Sequence, residues 1–148
     1  MDQDPESLIK EPIGRIMGNI GRLFMAGLHR NLSHLDIERS YYPLLLIEAG
    51  NGKLTQQELA GKLSCDKVQV VRIIDYLESN GYVERGLNPA DRRKSSLQIT
   101  AKAMKILPDI KKAMKETTEM ALINVPENKI DEIYTLIQTI EKNLTTIK

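Results

Sequence analysis

The sequence predicts a mainly α-helical fold that carries one small β-hairpin. The 148 residues are 41% hydrophobic and 28% charged, which is typical of a globular chain of one domain or one domain with a helical extension. Only 4% of the residues are aromatic, so Leu, Ile and Met packing between helices is favoured over a sandwich of aromatic-rich strands. Apolar residues recur at helical spacing along most of the chain, and two short segments alternate instead.

The first fifty residues predict two helices behind a flexible tail at residues 1–10. Apolar side chains from Ile13 to Leu28 form a helical stripe in the first of these helices. The second helix is expected to be capped by Ser40 and to hold Pro43 in its first turn.

Two short helices with strong start signals follow. Thr55 and Glu58 form a capping box at the start of the first of them. Asp66 and Gln69 repeat this arrangement at the start of the next helix, which is expected to run to about Ser79. Because only a tight turn separates the two, they predict a helix-turn-helix.

The remaining chain predicts a hairpin and two long helices. Residues 82–85 and 96–99 alternate between apolar and polar side chains, with a long, basic tip between them. Thr100 is expected to cap the first long helix. In the second, apolar residues recur at a narrow spacing that suits pairing with another long helix; they are Ile130, Ile133, Ile137, Ile140, Leu144 and Ile147.

This order of elements predicts a winged helix-turn-helix with N- and C-terminal dimerisation helices. Residues 37–100 would form the DNA-binding region, while residues 11–36 and 101–147 would form the helical dimerisation region. The formal net charge is only +1, but residues 53–102 carry nine basic and six acidic side chains. The expected partner of this region is therefore double-stranded DNA.

The second helix of the helix-turn-helix is expected to read bases in a major groove. Its buried face is predicted to comprise Val70, Ile73, Ile74 and Leu77, and the opposite side to present Lys67, Val68, Gln69, Val71, Arg72 and Tyr76. Gln69 suits adenine and Arg72 suits guanine, and either could hold phosphate instead. Val68 and Val71 either contact thymine methyl groups or belong to a wider core, and the sequence leaves both readings open.

The tip of the hairpin carries Asp91, Arg92, Arg93 and Lys94. Three adjacent cations on an exposed loop suit the minor groove, whose negative potential attracts arginine. Asp91 is a poor DNA contact, so we expect it to bond one of the arginines or the backbone amides and so stiffen the loop. An isolated charged run is usually a solvated turn, but the neighbouring helix-turn-helix favours DNA contact here.

Residues 54–100 resemble the multiple-antibiotic-resistance regulator (MarR) family, and the order and lengths of the helices extend this resemblance over about residues 11–147. The motifs that carry it are Leu54-Thr55-Gln56-Gln57-Glu58-Leu59-Ala60, Arg72-Ile73-Ile74-Asp75-Tyr76-Leu77-Glu78, Gly81-Tyr82-Val83-Glu84-Arg85, Asp91-Arg92-Arg93 and Leu97-Gln98-Ile99-Thr100. The resemblance implies a homodimeric transcriptional regulator, usually a repressor, whose terminal helices interlock between subunits. By position, Arg72 would be a recognition-helix contact, and Arg92 or Arg93 would enter the minor groove with support from Asp91.

The resemblance also implies a cleft for a small aromatic or amphipathic effector between the dimer arms and the DNA-binding lobes. Met17, Phe24, Tyr41 and Tyr42 are candidates to line it, although ordinary packing between helices is the better explanation for any one of them taken alone. Three features depart from the family pattern, of which Ala103, in place of a frequent glycine after the Ile-Thr pair, is the harmless one. The family often has small polar residues where Val68 and Val71 stand, and a basic residue is common in place of Tyr76.

Other classes of function find little support in the sequence. Cys65 is the one cysteine, which excludes an intramolecular disulfide and a cysteine-cluster metal site. Its place just before the reading helix would let oxidation disturb DNA docking, but a lone cysteine is more often inert. No phosphate-binding loop, zinc-protease motif or nucleophile elbow occurs, so neither an enzyme nor a cofactor is expected. The acidic start and the lack of a long apolar run predict a cytoplasmic protein without a membrane partner.

A winged-helix module whose basic wing binds an acidic protein is the competing interpretation. The basic wing alone cannot separate the two. Binding to duplex DNA as a function of salt would do so, because contacts to phosphate release counterions.

Overall fold

A computed structural model describes residues 10–35, 37, 40–88, 90–93 and 95–147. In chain order the elements are α1 (Ile13–Asn31), α2 (Tyr41–Ala49), α3 (Gln56–Leu63), α4 (Lys67–Ser79), β1 (Val83–Leu87), β2 (Ser95–Ile99), α5 (Ala101–Ala121) and α6 (Glu127–Thr145). The predicted class, mainly α with a small hairpin, is confirmed. The expected flexible tail, apart from Lys10, and the side chain of Lys94 lie outside the described residues.

The helix-turn-helix forms where the start signals place it. The hydroxyl Oγ1 of Thr55 accepts a hydrogen bond from the backbone N–H of Glu58 at 3.1 Å. The carboxylate Oδ1 of Asp66 accepts one from the backbone N–H of Gln69 at 2.8 Å. Between the helices, Ser64 adopts a left-handed backbone conformation with φ of 51°. Each cap satisfies a backbone donor that the first turn of a helix leaves without an intrahelical partner.

The expected cap of α2 is wrong in one respect. Ser40 occupies the N-cap position, but its side chain makes no capping hydrogen bond. Its φ and ψ of −96° and 14° differ from the extended conformation of a capping residue, so the hydroxyl is not aimed at the first turn. Pro43 lies in the first turn as predicted and is buried.

The hairpin strands are longer at the tip than the alternation predicts. β1 and β2 pair antiparallel, with Val83 opposite Ile99 at the base and Leu87 opposite Ser95 near the tip. The predicted polar tip began at Gly86, but Gly86 and Leu87 belong to β1 and shorten the loop. The backbone N–H of Leu97 also donates to the carbonyl of Leu54 at 2.9 Å, which fastens β2 to the segment before α3.

The chain divides into two compact units, of which the first ends at Thr117 and the second begins at Thr118. The first unit has one apolar core drawn from α1 to α5 and the hairpin. Val70, Ile74 and Leu77 of α4 are buried in it, as predicted. Ile73 is only half-buried, so the buried face of α4 is narrower than the predicted stripe.

The second unit consists of the end of α5 and the helix α6. No residue of α6 is buried, including those of the predicted apolar seam. Ile130, Ile133 and Ile140 are half-buried, whereas Ile137 and Leu144 are exposed by 49% and 61%. The seam therefore leaves a large apolar surface uncovered.

Candidate nucleic-acid interface

The first turns of α4 form an exposed surface on the helix-turn-helix. Lys67, Val68, Gln69 and Arg72 are exposed, and we call these four residues the reading surface. Because Val70 is buried, helical geometry turns its neighbours outward.

Exposure separates the two interpretations of the valines. Val68 is 61% exposed, which excludes it from the core and leaves an apolar group free to meet a ligand. Val71 is half-buried, as is Tyr76, so both lie at the edge of the reading surface.

The wing loop is shaped by two side chains that bond to nearby backbone. The amide Oδ1 of the buried Asn88 accepts from the N–H of Ala90 at 2.9 Å, and its Nδ2 donates to the carbonyl of Lys53 at 3.4 Å. The Oδ1 of Asp91 accepts from the N–H of Arg93 at 3.0 Å and lies 3.5 Å from Arg93 Nε. Short polar side chains that bond two residues ahead are the usual means of fixing a tight turn.

These bonds hold the loop while leaving Arg92 and Arg93 in solvent. The side chain of Arg93 is 94% exposed, and Arg92 is exposed as well. An exposed pair of arginines on a fixed loop can enter a narrow groove of negative potential, since the contact of Arg93 Nε with Asp91 is itself exposed to solvent. The reading surface, in turn, has the donors, acceptor and apolar group needed for base edges in a major groove.

A cavity of about 630 Å³ opens beside the reading surface, within the first unit. Its lining residues are Met25, Tyr41, Tyr42, Pro43, Leu63, Cys65, Gln69, Arg72 and Ile73. Two of the predicted cleft residues, Tyr41 and Tyr42, are among them. Met17 and Phe24 are half-buried on α1 but do not line it, and Met25 takes the place expected of Phe24.

Tyr41 is the titratable group most affected by this cavity. Burial raises the pKa of its hydroxyl above the ordinary value of 10.0, and the neighbouring Tyr42 adds to the rise. The same hydroxyl donates to the thioether Sδ of Met25 at 3.6 Å. Tyr41 therefore stays neutral at physiological pH and presents an uncharged polar group to the cavity.

Sequence reasoning missed Asn88 and Met25. The Asn88-Pro89 pair marked a turn in the sequence, but the bond to Lys53 joins residues 35 positions apart and left no local signal. Met25 is next to Phe24, which the sequence predicted. Whether Phe24 or Met25 contacts Tyr41 depends on the rotation of α1 against α2, which the sequence does not give.

Metal binding has no support in the described ranges. Within them, no group of three or more His, Cys, Asp or Glu side chains is arranged to hold a metal ion. Among these described residues, no helix is both long enough and apolar enough to span a bilayer.

Comparison with known proteins matches both the helix-turn-helix and the whole chain. The model of the MarR family matches residues 42–95, which include α2 from its second residue onward and the whole of α3, α4 and β1. The crystal structure of transcriptional regulator PA3341 is 27% identical, with 90% of this chain and 98% of that chain covered and a TM-score of 0.76. A MarR transcriptional regulator from Methanosarcina mazei Go1 is 26% identical, with coverages of 94% and 100% and a TM-score of 0.76.

A third similar structure carries a ligand. CouR from Rhodococcus jostii RHA1, solved with bound p-coumaroyl-CoA, is 21% identical, with coverages of 88% and 92% and a TM-score of 0.77. At this identity the likeness concerns the fold alone.

The fold and the exposed helix-turn-helix define a transcriptional regulator of the winged-helix class rather than an enzyme. More particularly, residues 42–95 match the model of the MarR family, and most of the chain is similar to solved transcriptional regulators, a MarR regulator among them.

Proposed function

We propose that the protein is a homodimeric, sequence-specific DNA-binding repressor of the MarR type that acts in the cytoplasm. One observation carries the DNA-binding part. The exposed reading surface of α4 lies on the same compact unit as a fixed wing loop that holds Arg92 and Arg93 in solvent. The reading surface would enter a major groove and the two arginines the adjacent minor groove.

Exposed apolar side chains support the homodimer. On α1, Ile13, Ile20 and Leu23 are each exposed by more than half, and α6 has no buried residue. Apolar surface of this extent usually marks an interface with another protein. A second copy is the partner that a two-fold arrangement of two readers requires, and it gives a pseudo-palindromic operator with half-sites roughly 10 bp apart.

The cavity supports control by a small effector. Its wall is largely apolar, and Arg72 supplies one cationic group at its rim. This combination suits an aromatic or amphipathic molecule that carries an acidic group. A compound set of this chemistry, screened for release of bound duplex, tests this part of the proposal.

Selection of random duplexes by the purified protein tests the central claim. We expect enrichment of a two-fold symmetric sequence, with an affinity that falls steeply as salt is raised from about 50 mM, because arginine and lysine displace counterions. Undetectable binding to any duplex at about 50 mM salt would reject DNA recognition. It would favour instead a winged-helix module that binds an acidic protein.

A further inference from the structure

Arg85 joins the wing to the recognition helix. It is the third residue of β1, and its guanidinium bonds two carboxylates of α4. Nη2 donates to Asp75 Oδ1 at 2.9 Å, and Nη1 donates to Glu78 Oε1 at 2.9 Å. Asp75 and Glu78 are three positions apart and so share one face of the helix.

The two bonds fix the orientation of the Arg85 guanidinium as well as its distance from α4. The guanidinium is planar and its donors form a rigid fork, so bonds to two separate acceptors determine the orientation of its plane. The pKa of Arg85 is raised above its ordinary value, chiefly by the hydrogen bond with Asp75 and further by Glu78. A lysine, with one compact charge, could not make both contacts with the same geometry.

The contact lies further out along the wing than the backbone bond and the core packing at the base of the wing. The backbone N–H of Tyr82, just before β1, donates to the carbonyl of Leu77 at 2.9 Å, and Val83 is buried in the core. Arg85 is two residues closer to the tip than Val83. The bonds from Leu97 and Asn88 instead fasten the wing to the segment before α3.

These two bonds contribute little to the stability of the fold. The side chains are partly exposed, by 34% for Arg85, 58% for Asp75 and 43% for Glu78, and exposed ion pairs contribute little to folding. The two carboxylates also lie on the helix proposed to approach phosphates, where negative charge opposes binding. Arg85 offsets that charge while it holds the wing.

We propose that Arg85 is a positioning residue that sets the direction of the wing against the recognition helix, so that both enter neighbouring grooves together. This inference rests on the proposed function. Arg85 itself need not contact DNA, because it acts through the placement of Arg92 and Arg93.

Chemical footprinting of each groove tests the proposal. On a duplex selected by the wild-type protein, dimethyl sulfate methylates guanine N7 in the major groove and adenine N3 in the minor groove. We expect the wild type to protect both kinds of atom. The double variant Asp75→Ala/Glu78→Ala, and separately Arg85→Gln, should keep N7 protection, lose N3 protection under the wing and bind about tenfold more weakly.

The double variant is decisive because charge alone predicts the opposite result. It removes two negative charges from the DNA-facing helix, so a purely electrostatic role would leave the binding equal or tighter. Glu84→Gln is the matched control, since Glu84 is an exposed residue of the same strand and its change should spare N3 protection. Thermal unfolding of each variant monitors the fold.

Two failures are distinguishable. If the wild type selects a duplex and the double variant keeps N3 protection at equal or higher affinity, the positioning role is overturned alone. If the wild type selects no duplex, the proposed function is rejected, and the positioning role that rests on it is rejected as well.

Discussion

At the scale of single residues, Tyr41 links the cavity to the stability of the fold. Its pKa is raised in the folded protein by burial and by Tyr42. The unfolded chain therefore loses the Tyr41 proton at a lower pH than the folded protein does. The contribution of this group is fully present below the unfolded pKa and is lost as the pH rises through the folded pKa.

We therefore expect the free energy of unfolding to fall as the pH rises through and beyond 10.0, the ordinary pKa of a tyrosine. Tyr41→Phe cannot ionise, so its stability should fall less over the same range, although it also loses the bond to Met25. Urea unfolding followed by circular dichroism at several pH values measures both slopes. Equal slopes for the variant and the wild type would contradict the assignment of this pH dependence to Tyr41.

On α4, the exposure of single residues could be predicted from the helix alone. Lys67, Val68, Gln69 and Arg72 are exposed as the helical pattern predicts, because a buried Val70 determines its neighbours. The role of Arg85 could not be predicted, because its partners lie seven and ten positions away on another element. Contacts of this kind depend on how a strand crosses a helix.

At the scale of elements, local chemistry explains which boundaries could be predicted. The helices α3 and α4 begin at the predicted residues because Thr55 and Asp66 bond donors only three positions ahead. The end of β1 could not be predicted, because Gly86 carries no side chain to continue the alternation. Its place in the strand comes from pairing with Ser96 on the opposite strand.

The prediction at the scale of elements concerns the two arginines of the wing. Arg92→Ala/Arg93→Ala should weaken binding to the selected operator by about a hundredfold or more while leaving the protein dimeric, because two minor-groove contacts are lost. Electrophoretic mobility shift measures the affinity. Lys105→Ala/Lys112→Ala on α5 removes the same charge from two exposed positions outside the wing. If both double variants lost the same affinity for the operator, the wing arginines would act only through their net charge.

At the scale of the whole molecule, the apolar surface of α6 is the dominant feature. The sequence could predict the seam from its regular spacing, but the spacing does not say which chain covers it. Each leucine or isoleucine that becomes buried in an interface contributes about 1.5–3 kcal/mol.

Ile137→Glu/Leu144→Glu should therefore convert a dimer into monomers and abolish operator binding with it, because a single reader spans one half-site. Analytical ultracentrifugation measures the mass. Gln138→Glu, at an exposed polar position of the same helix, is the control and should remain dimeric. A wild-type protein that sediments as a monomer at every workable concentration would contradict the homodimer itself.

The single cysteine offers one labelling site from which the binding of an effector and of DNA can be followed. Cys65 is half-buried, lines the cavity and comes two residues before α4 begins. Because no other thiol competes in the chain, a small trifluoromethyl tag would attach at one place and give one fluorine resonance. Its chemical shift would register a compound entering the cavity and, in a separate titration, duplex arriving at the adjoining helix.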